Sequence, residues 1–230
     1  MLRPASQPCV LCGADHAPDA LCPGCRADLP ILPREACAQC AAPLPSGLLC
    51  GACLAHPPRY DSVRAAYVYD FPLDALIRKY KYAGELRLAC LLGTALASSA
   101  GREVDVLVPV PLSEARLRAR GYNQALEIAR VAGRLRELPV WPAACRRVMD
   151  TPAQALLPWR ERPRNVRGAF VCDADVRGLR IGVVDDVMTT GATLNELARN
   201  LKRAGAAEVH GWMVARAVPR AFRRSSDAFE

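Results

Sequence analysis

The chain has 230 residues, 51% of them hydrophobic and 23% charged, an ordinary globular composition that excludes a largely disordered chain. No stretch reaches the roughly 18 apolar residues of a membrane span, so no membrane insertion is expected. The formal net charge of +8 comes from 31 basic and 23 acidic residues, and 6% aromatic content argues against a binder that relies on base stacking. The charge is uneven. Residues 1–58 hold Arg3, Arg26 and Arg34 against Asp15, Asp19, Asp28 and Glu35, so the positive excess lies in the remainder. A basic surface favours phosphate-bearing partners without identifying nucleic acid.

Eight of the eleven cysteines fall in the first 53 residues as CxxC pairs: Cys9/Cys12, Cys22/Cys25, Cys37/Cys40 and Cys50/Cys53. Each cysteine of the first half recurs 28 residues later, so the pattern is an internal duplication. Four thiolates at this spacing suit one tetrahedral zinc ion, and the duplication predicts two structural ions. A disulfide framework is the alternative. It needs an oxidising compartment, and Met1 to Cys12 shows no apolar export core, so a cytoplasmic chain is expected. The repeat favours sequential pairing of the ligands within each half, with interleaved pairing left open. Two filled sites carry about −2 each, which lowers the effective net charge to about +4. His16 and His56 are alternative ligands in the same module. Cys90, Cys145 and Cys172 stand singly and read as structural.

Leu54 to Arg59 reads as a linker. Leu73, Leu76, Ile77 and Tyr80 have helical spacing, and Glu85 to Ala97 is a second helix. Val104 to Val110 is a strand stopped by Pro109 and Pro111. Asn123 caps a helix with the stripe Ala125, Ile128, Ala129, Ala132 and Leu135. Ala169 to Cys172 is a short strand, Ile181 to Val184 a strand buried on both faces, and Thr193 to Ala204 a helix closed by Gly205. Val209 to Ala217 is a further strand, with His210 structural, and residues 220–230 form a flexible tail. Strand, helix and strand in close succession imply a parallel sheet.

The segment IGVVDDVMTTGATL, residues 181–194, concentrates the chemistry. A buried strand ends in Asp185 and Asp186, and the loop Thr189, Thr190, Gly191, Ala192, Thr193 opens a helix. Loop amides, hydroxyls and a helix N-terminus make an anion cradle at the carboxyl end of a parallel strand. Paired carboxylates beside it suit the vicinal hydroxyls of a ribose 5-phosphate, and the Gly-Lys-Ser/Thr of a nucleoside triphosphate loop is missing.

VVDDVMTTGAT resembles the phosphoribosyl-pyrophosphate (PRPP) signature of type I phosphoribosyltransferases. PVPLSEARLRARGYNQA (109–125), TPAQALLPWRERPRNVRGAF (151–170) and the duplicated CxxC module resemble the ComF family, associated with natural competence. The resemblance implies an α/β fold of the type I phosphoribosyltransferase class, a parallel sheet with flanking helices, preceded by a small Cys-rich zinc-ribbon module. The expected division is 1–58 for the double ribbon, 59–219 for the phosphoribosyltransferase-like domain and 220–230 for the tail. It also implies that Asp185 and Asp186 hold the ribose hydroxyls, that Thr189 to Thr193 hold the 5-phosphate, and that the loop with Val110 and Pro111 faces pyrophosphate.

That loop is poor in donors, so side chains must supply charge: Arg120 and Lys81 are the catalytic candidates, with Arg116, Arg118 and Lys79 behind them. Magnesium is expected with PRPP. The segment Arg160 to Arg167, with Gln154, reads either as a lid over PRPP or as a nucleic-acid contact. Two functions follow: a phosphoribosyltransferase (a glycosyltransferase) of unknown acceptor, linked to DNA uptake, or a non-catalytic single-stranded-DNA-handling or regulatory protein that senses PRPP. Partners in either case are PRPP and, through the family, single-stranded DNA and other DNA-uptake proteins.

Overall fold

The computed structural model describes residues 7–15, 17, 19–101, 104–149 and 166–218. In chain order the elements are α1 (Pro23–Ala27), α2 (Gly51–Ala55), β1 (Ser62–Val68), α3 (Leu73–Tyr82), α4 (Leu88–Ser99), β2 (Val106–Pro109), α5 (Glu114–Arg120), α6 (Gln124–Arg136), β3 (Cys145–Arg147), β4 (Phe170–Cys172), β5 (Arg180–Met188), α7 (Ala192–Arg203) and β6 (Glu208–Arg216). Gln154 and most of the Arg160–Arg167 segment, like the tail at 220–230, lie outside the described residues, as does His16.

Four strands form one parallel sheet in the order β1-β6-β5-β2. The two central strands, β5 and β6, are apolar because both their faces are covered. One face carries α3 and α4, whose buried leucines pack with Val184, Trp212 and Val214, and α6, which adds Ile128, Ala129 and Ala132. The other carries α7, whose Leu194, Leu197, Ala198 and Leu201 pack with Ile181, Val183 and Val209. No helix among the described residues is long and apolar enough to cross a membrane.

The two cysteine ribbons straddle the β1 edge. Cys9, Val10 and Leu21 of the first belong to the core on the α3–α4 face, while Cys37, Cys40 and Cys53 of the second belong to the core on the α7 face. The segment between them lies along the outer edge of β1: Val68 N–H donates to the Pro30 carbonyl (2.8 Å), and Leu32 N–H donates to the Ala66 carbonyl (3.1 Å). An exposed strand edge is thereby closed by backbone pairing.

Several sequence expectations are refined. Residues 62–68 form a strand, although their sequence SVRAAYV shows no clean alternation. Helix α4 begins at Leu88 and not at Glu85, and Leu135, expected in the buried stripe of α6, is 56% exposed. Cys145 and Cys172 are not single. β3 and β4 form an antiparallel pair outside the main sheet, in which these residues face each other and are joined as a disulfide with Cα atoms 4.2 Å apart.

Candidate functional site

β2 leaves the sheet early. Its pairing with β5 ends at Pro109 opposite Val184, and Val110 N–H makes the last bond, to the Val184 carbonyl (2.9 Å). Pro109 and Pro111 lack the N–H groups that would continue the ladder. On the other side β5 stays paired with β6 as far as Met188 opposite Arg216. Asp185 and Asp186 therefore lie within a strand and not after it, at the level where one neighbour has turned away. The opening this leaves is the carboxyl-end crevice in which parallel α/β sheets bind ligands.

Beyond Met188 the chain turns through Thr189 and Thr190 into Gly191, the N-cap of α7, at φ +78°. A side chain there is strained by the left-handed backbone, and a Cβ would in addition sit 2.7 Å from Met188 Cε and 3.1 Å from Tyr60 Oη, so both would have to shift. Thr190 Oγ1 accepts from Ala192 N–H (3.2 Å), and the Gly191 carbonyl accepts from Asn195 N–H (2.8 Å). Asp185, Thr189, Gly191, Ala192 and Thr193 line one small cleft at the positive end of this 12-residue helix.

The two carboxylates, alike in sequence, have different surroundings. Strand alternation sends Asp185 toward the α7 face with Ile181 and Val183, and Asp186 toward the α3 face with Val184. Asp186 is 3% exposed, and its Oδ2 lies 2.7 Å from Lys81 Nζ. Burial works against the Lys81 ammonium, but the charges of Asp186 and Asp185 outweigh it and hold its pKa above the usual lysine value. Among the described residues Asp185 forms no such ion pair, and its Oδ1 accepts from Asp186 N–H (2.9 Å). Burial and the neighbouring Asp186 charge push its pKa up to about 7, with Lys81 pulling the other way.

The structure thus brings Lys81, expected from sequence, against the carboxylate pair. Arg120 stands nearby at the end of α5, bonded to Gln124 Oε1 and stacked 5.4 Å over the Tyr82 ring. The loop of Val110 and Pro111 is tied down by Asn123 Nδ2, which donates to the Val110 carbonyl (3.0 Å) while its Oδ1 caps α6. The other cations are placed differently. Lys79 donates to the Val10 carbonyl (2.7 Å), so it fastens the first ribbon to α3. Arg118 pairs with Glu114 on the exposed side of α5.

Two contributors escaped the sequence reading. Tyr60, buried among the second-ribbon cysteines, packs against the position of Gly191. Arg216, 7% exposed, ends β6 and reaches across to the same loop. Its Nε donates to the Cys40 carbonyl (2.8 Å), and its Nη1 donates to the carbonyls of Met188 (3.2 Å), Thr189 and Ala217. An arginine ending an otherwise apolar run was the available signal.

The cysteines cluster sequentially, Cys9, Cys12, Cys22 and Cys25 in one group and Cys37, Cys40, Cys50 and Cys53 in the other, all Sγ atoms of a group lying within 4.8 Å of one another. Cys12 and Cys22 Sγ are 3.7 Å apart, and Cys40 and Cys50 Sγ 3.6 Å. Tetrahedral thiolates at the zinc–sulfur distance of about 2.3 Å are separated by roughly 3.8 Å. The donor sets therefore fit two structural zinc ions, with each half of the repeat closing its own site.

Two four-cysteine ribbons built onto the edge of a parallel sheet, with a Thr/Gly loop at the sheet's carboxyl end, define a double-zinc-ribbon protein with a parallel α/β domain. A double zinc ribbon domain family matches residues 2–54. Competence protein F of Haemophilus influenzae is 32% identical over 223 residues, covering 91% of this chain and 96% of that protein. DNA utilization protein YhgH of Escherichia coli is 34% identical over 192 residues, covering 80% and 85%. The chain belongs to the ComF family. Among solved structures, glutamine PRPP amidotransferase from B. subtilis aligns over 54% of this chain and 25% of its own, with 25% identity and a TM-score of 0.38.

Two outcomes are expected. Metal analysis of the purified chain finds two zinc ions per chain, and a chelator that removes them abolishes the cooperative melt of the ribbons, since metal binding there is folding energy; one ion or none contradicts the paired sites. The second concerns Asp185. Its folded-state pKa lies above the ordinary carboxylate value, so between about pH 4 and pH 7 the folded chain keeps a proton that the unfolded chain releases. Stability therefore falls as pH rises through that window. Asp185→Asn removes the penalty while keeping an oxygen for the Asp186 N–H, so the variant melts above wild type at pH 8 and level with it near pH 4. A lower melting temperature at pH 8 contradicts the assignment.

Proposed function

We propose that this protein binds PRPP at the loop after β5 and acts as a phosphoribosyltransferase-like protein in the cytoplasmic handling of DNA. The observation that carries the reading is the Gly191 loop itself: a left-handed N-cap, where a side chain is strained, opening a helix beside the Asp185 carboxylate. Backbone amides and threonine hydroxyls at Thr189 to Thr193 take the 5-phosphate. Asp185 accepts hydrogen bonds from the ribose hydroxyls, and these charged bonds are stronger than neutral ones. Asp186 works through its pair with Lys81, which fixes an ammonium beside the carboxylate pair.

In the transferase reading, the bond broken joins ribose C1 to pyrophosphate, and the bond formed joins C1 to a nucleophilic acceptor. The protein's part is electrostatic: Lys81 and Arg120 face the departing negative charge, while Asp185 orients the sugar. Magnesium accompanies the pyrophosphate and, when bound, neutralises the leaving group; the oxygen-donor character of Asp185 fits that ion. The link to DNA uptake is supported by relatives named as competence and DNA utilization proteins.

Calorimetry with PRPP and magnesium, paired with a pyrophosphate-release assay across free bases, tests this. Wild type binds PRPP. A hydrogen bond to a charged group is worth about 1.5–3 kcal/mol, so Asp185→Asn weakens binding roughly tenfold or more. Pyrophosphate release by wild type with some acceptor, lost in Lys81→Met, identifies the transferase; binding without release in any screen identifies the sensor. Unchanged PRPP affinity in well-folded Asp185→Asn removes the carboxylate from the site.

A further inference from the structure

Arg216 joins two parts of the molecule that no single element spans. It donates to the carbonyl of Cys40, a ligand in the second cysteine cluster, and to the carbonyls of Met188 and Thr189, where the chain enters the Gly191 loop. A guanidinium is permanently charged, and burying a charge without compensation is costly. No carboxylate among the described residues forms an ion pair with Arg216. Arg216 acts electrostatically on the Cys40 thiol, and the second four-cysteine cluster carries about −2 when its four thiolates hold zinc.

We infer that Arg216 is a positioning residue through which the zinc-filled second ribbon sets the conformation of the phosphate loop. This rests on the PRPP-binding reading of that loop. The peptide unit is planar and trans, so its C=O and N–H point in opposite directions. Drawing the Thr189 carbonyl back onto Arg216 turns the Thr190 N–H away from the ribbon. Holding the Met188 carbonyl does the same for the Thr189 N–H. These are among the first amides of the anion cradle. Zinc at the second site orders the Cys40 knuckle and supplies the counter-charge, and Arg216 carries both to the loop. Tyr60, buried beside the cysteines of the same ribbon, lies against the position a Cβ would take at Gly191. Among the described residues the first ribbon makes no equivalent contact, since it packs on the opposite face against α3 and α4.

The duplication provides a matched test, because Cys22 and Cys50 are equivalent positions of the two halves. Amide hydrogen exchange of residues 188–192 is measured in the full zinc-loaded chain, in Cys22→Ser and Cys50→Ser, and in Arg216→Lys and Arg216→Met, together with zinc content and PRPP affinity. Cys50→Ser raises exchange in the loop at least tenfold, and Cys22→Ser leaves it as in wild type. Arg216→Met retains two zinc ions, exchanges as fast as Cys50→Ser and loses at least tenfold in PRPP affinity. Arg216→Lys keeps the charge but cannot bridge the separate carbonyls, so it falls close to Arg216→Met.

Equal loop protection in Cys22→Ser and Cys50→Ser, or wild-type exchange in a folded Arg216→Met, overturns the inference. If Arg216→Met does not fold, the two serine variants decide the matter alone. Failure of wild type to bind PRPP overturns the functional reading instead, while the exchange data still report on the coupling.

Discussion

Backbone pairing of the inter-ribbon segment with β1 is the constraint on which the rest of the structure depends. A four-stranded parallel sheet has two faces to cover and two edges to protect. The cysteine module carries two four-cysteine clusters that fit structural zinc. Pro30 and Leu32, bonded to the edge of β1, solve both problems at once. One ribbon is directed to each face, where its cysteines become part of the core. Lys79 and Arg87 then hold the first ribbon by its backbone carbonyls, and Arg216 holds the second.

The same sheet creates the site by being incomplete. β2 stops at its prolines, four residues before β5 does, and the uncovered end of β5 carries two carboxylates. Their alternation across the strand gives them different states. Asp186 is buried and paired with Lys81. Burial and the neighbouring Asp186 charge raise the pKa of Asp185 above the ordinary carboxylate value.

Much of this was legible in the sequence because local rules and tertiary packing agree. All four residues of the expected stripe Leu73, Leu76, Ile77 and Tyr80 are buried, Asn123 caps α6, and the cysteine repeat closes as two sequential sites. The Thr/Gly loop falls at a helix N-terminus as expected. What was hidden depends on partners distant in sequence. β1 reads poorly because Arg64 and two adjacent alanines blur its alternation, and only pairing with β6 makes it a strand. Cys145 and Cys172 look solitary until β3 and β4, three residues each, bring them opposite one another. The asymmetry of Asp185 and Asp186 follows from strand register, which extends the strand past the point where the apolar run ends.

The central claim is that the loop after β5 is a site for a ribose 5-phosphate with its pyrophosphate. A crystal structure of the zinc-loaded chain grown with PRPP and magnesium tests it most directly. The account predicts the 5-phosphate against the amides of Thr190 to Thr193, the ribose hydroxyls on Asp185, and the pyrophosphate toward Lys81 and the Val110–Pro111 loop. PRPP bound elsewhere on the chain, with the Gly191 loop empty, would contradict it.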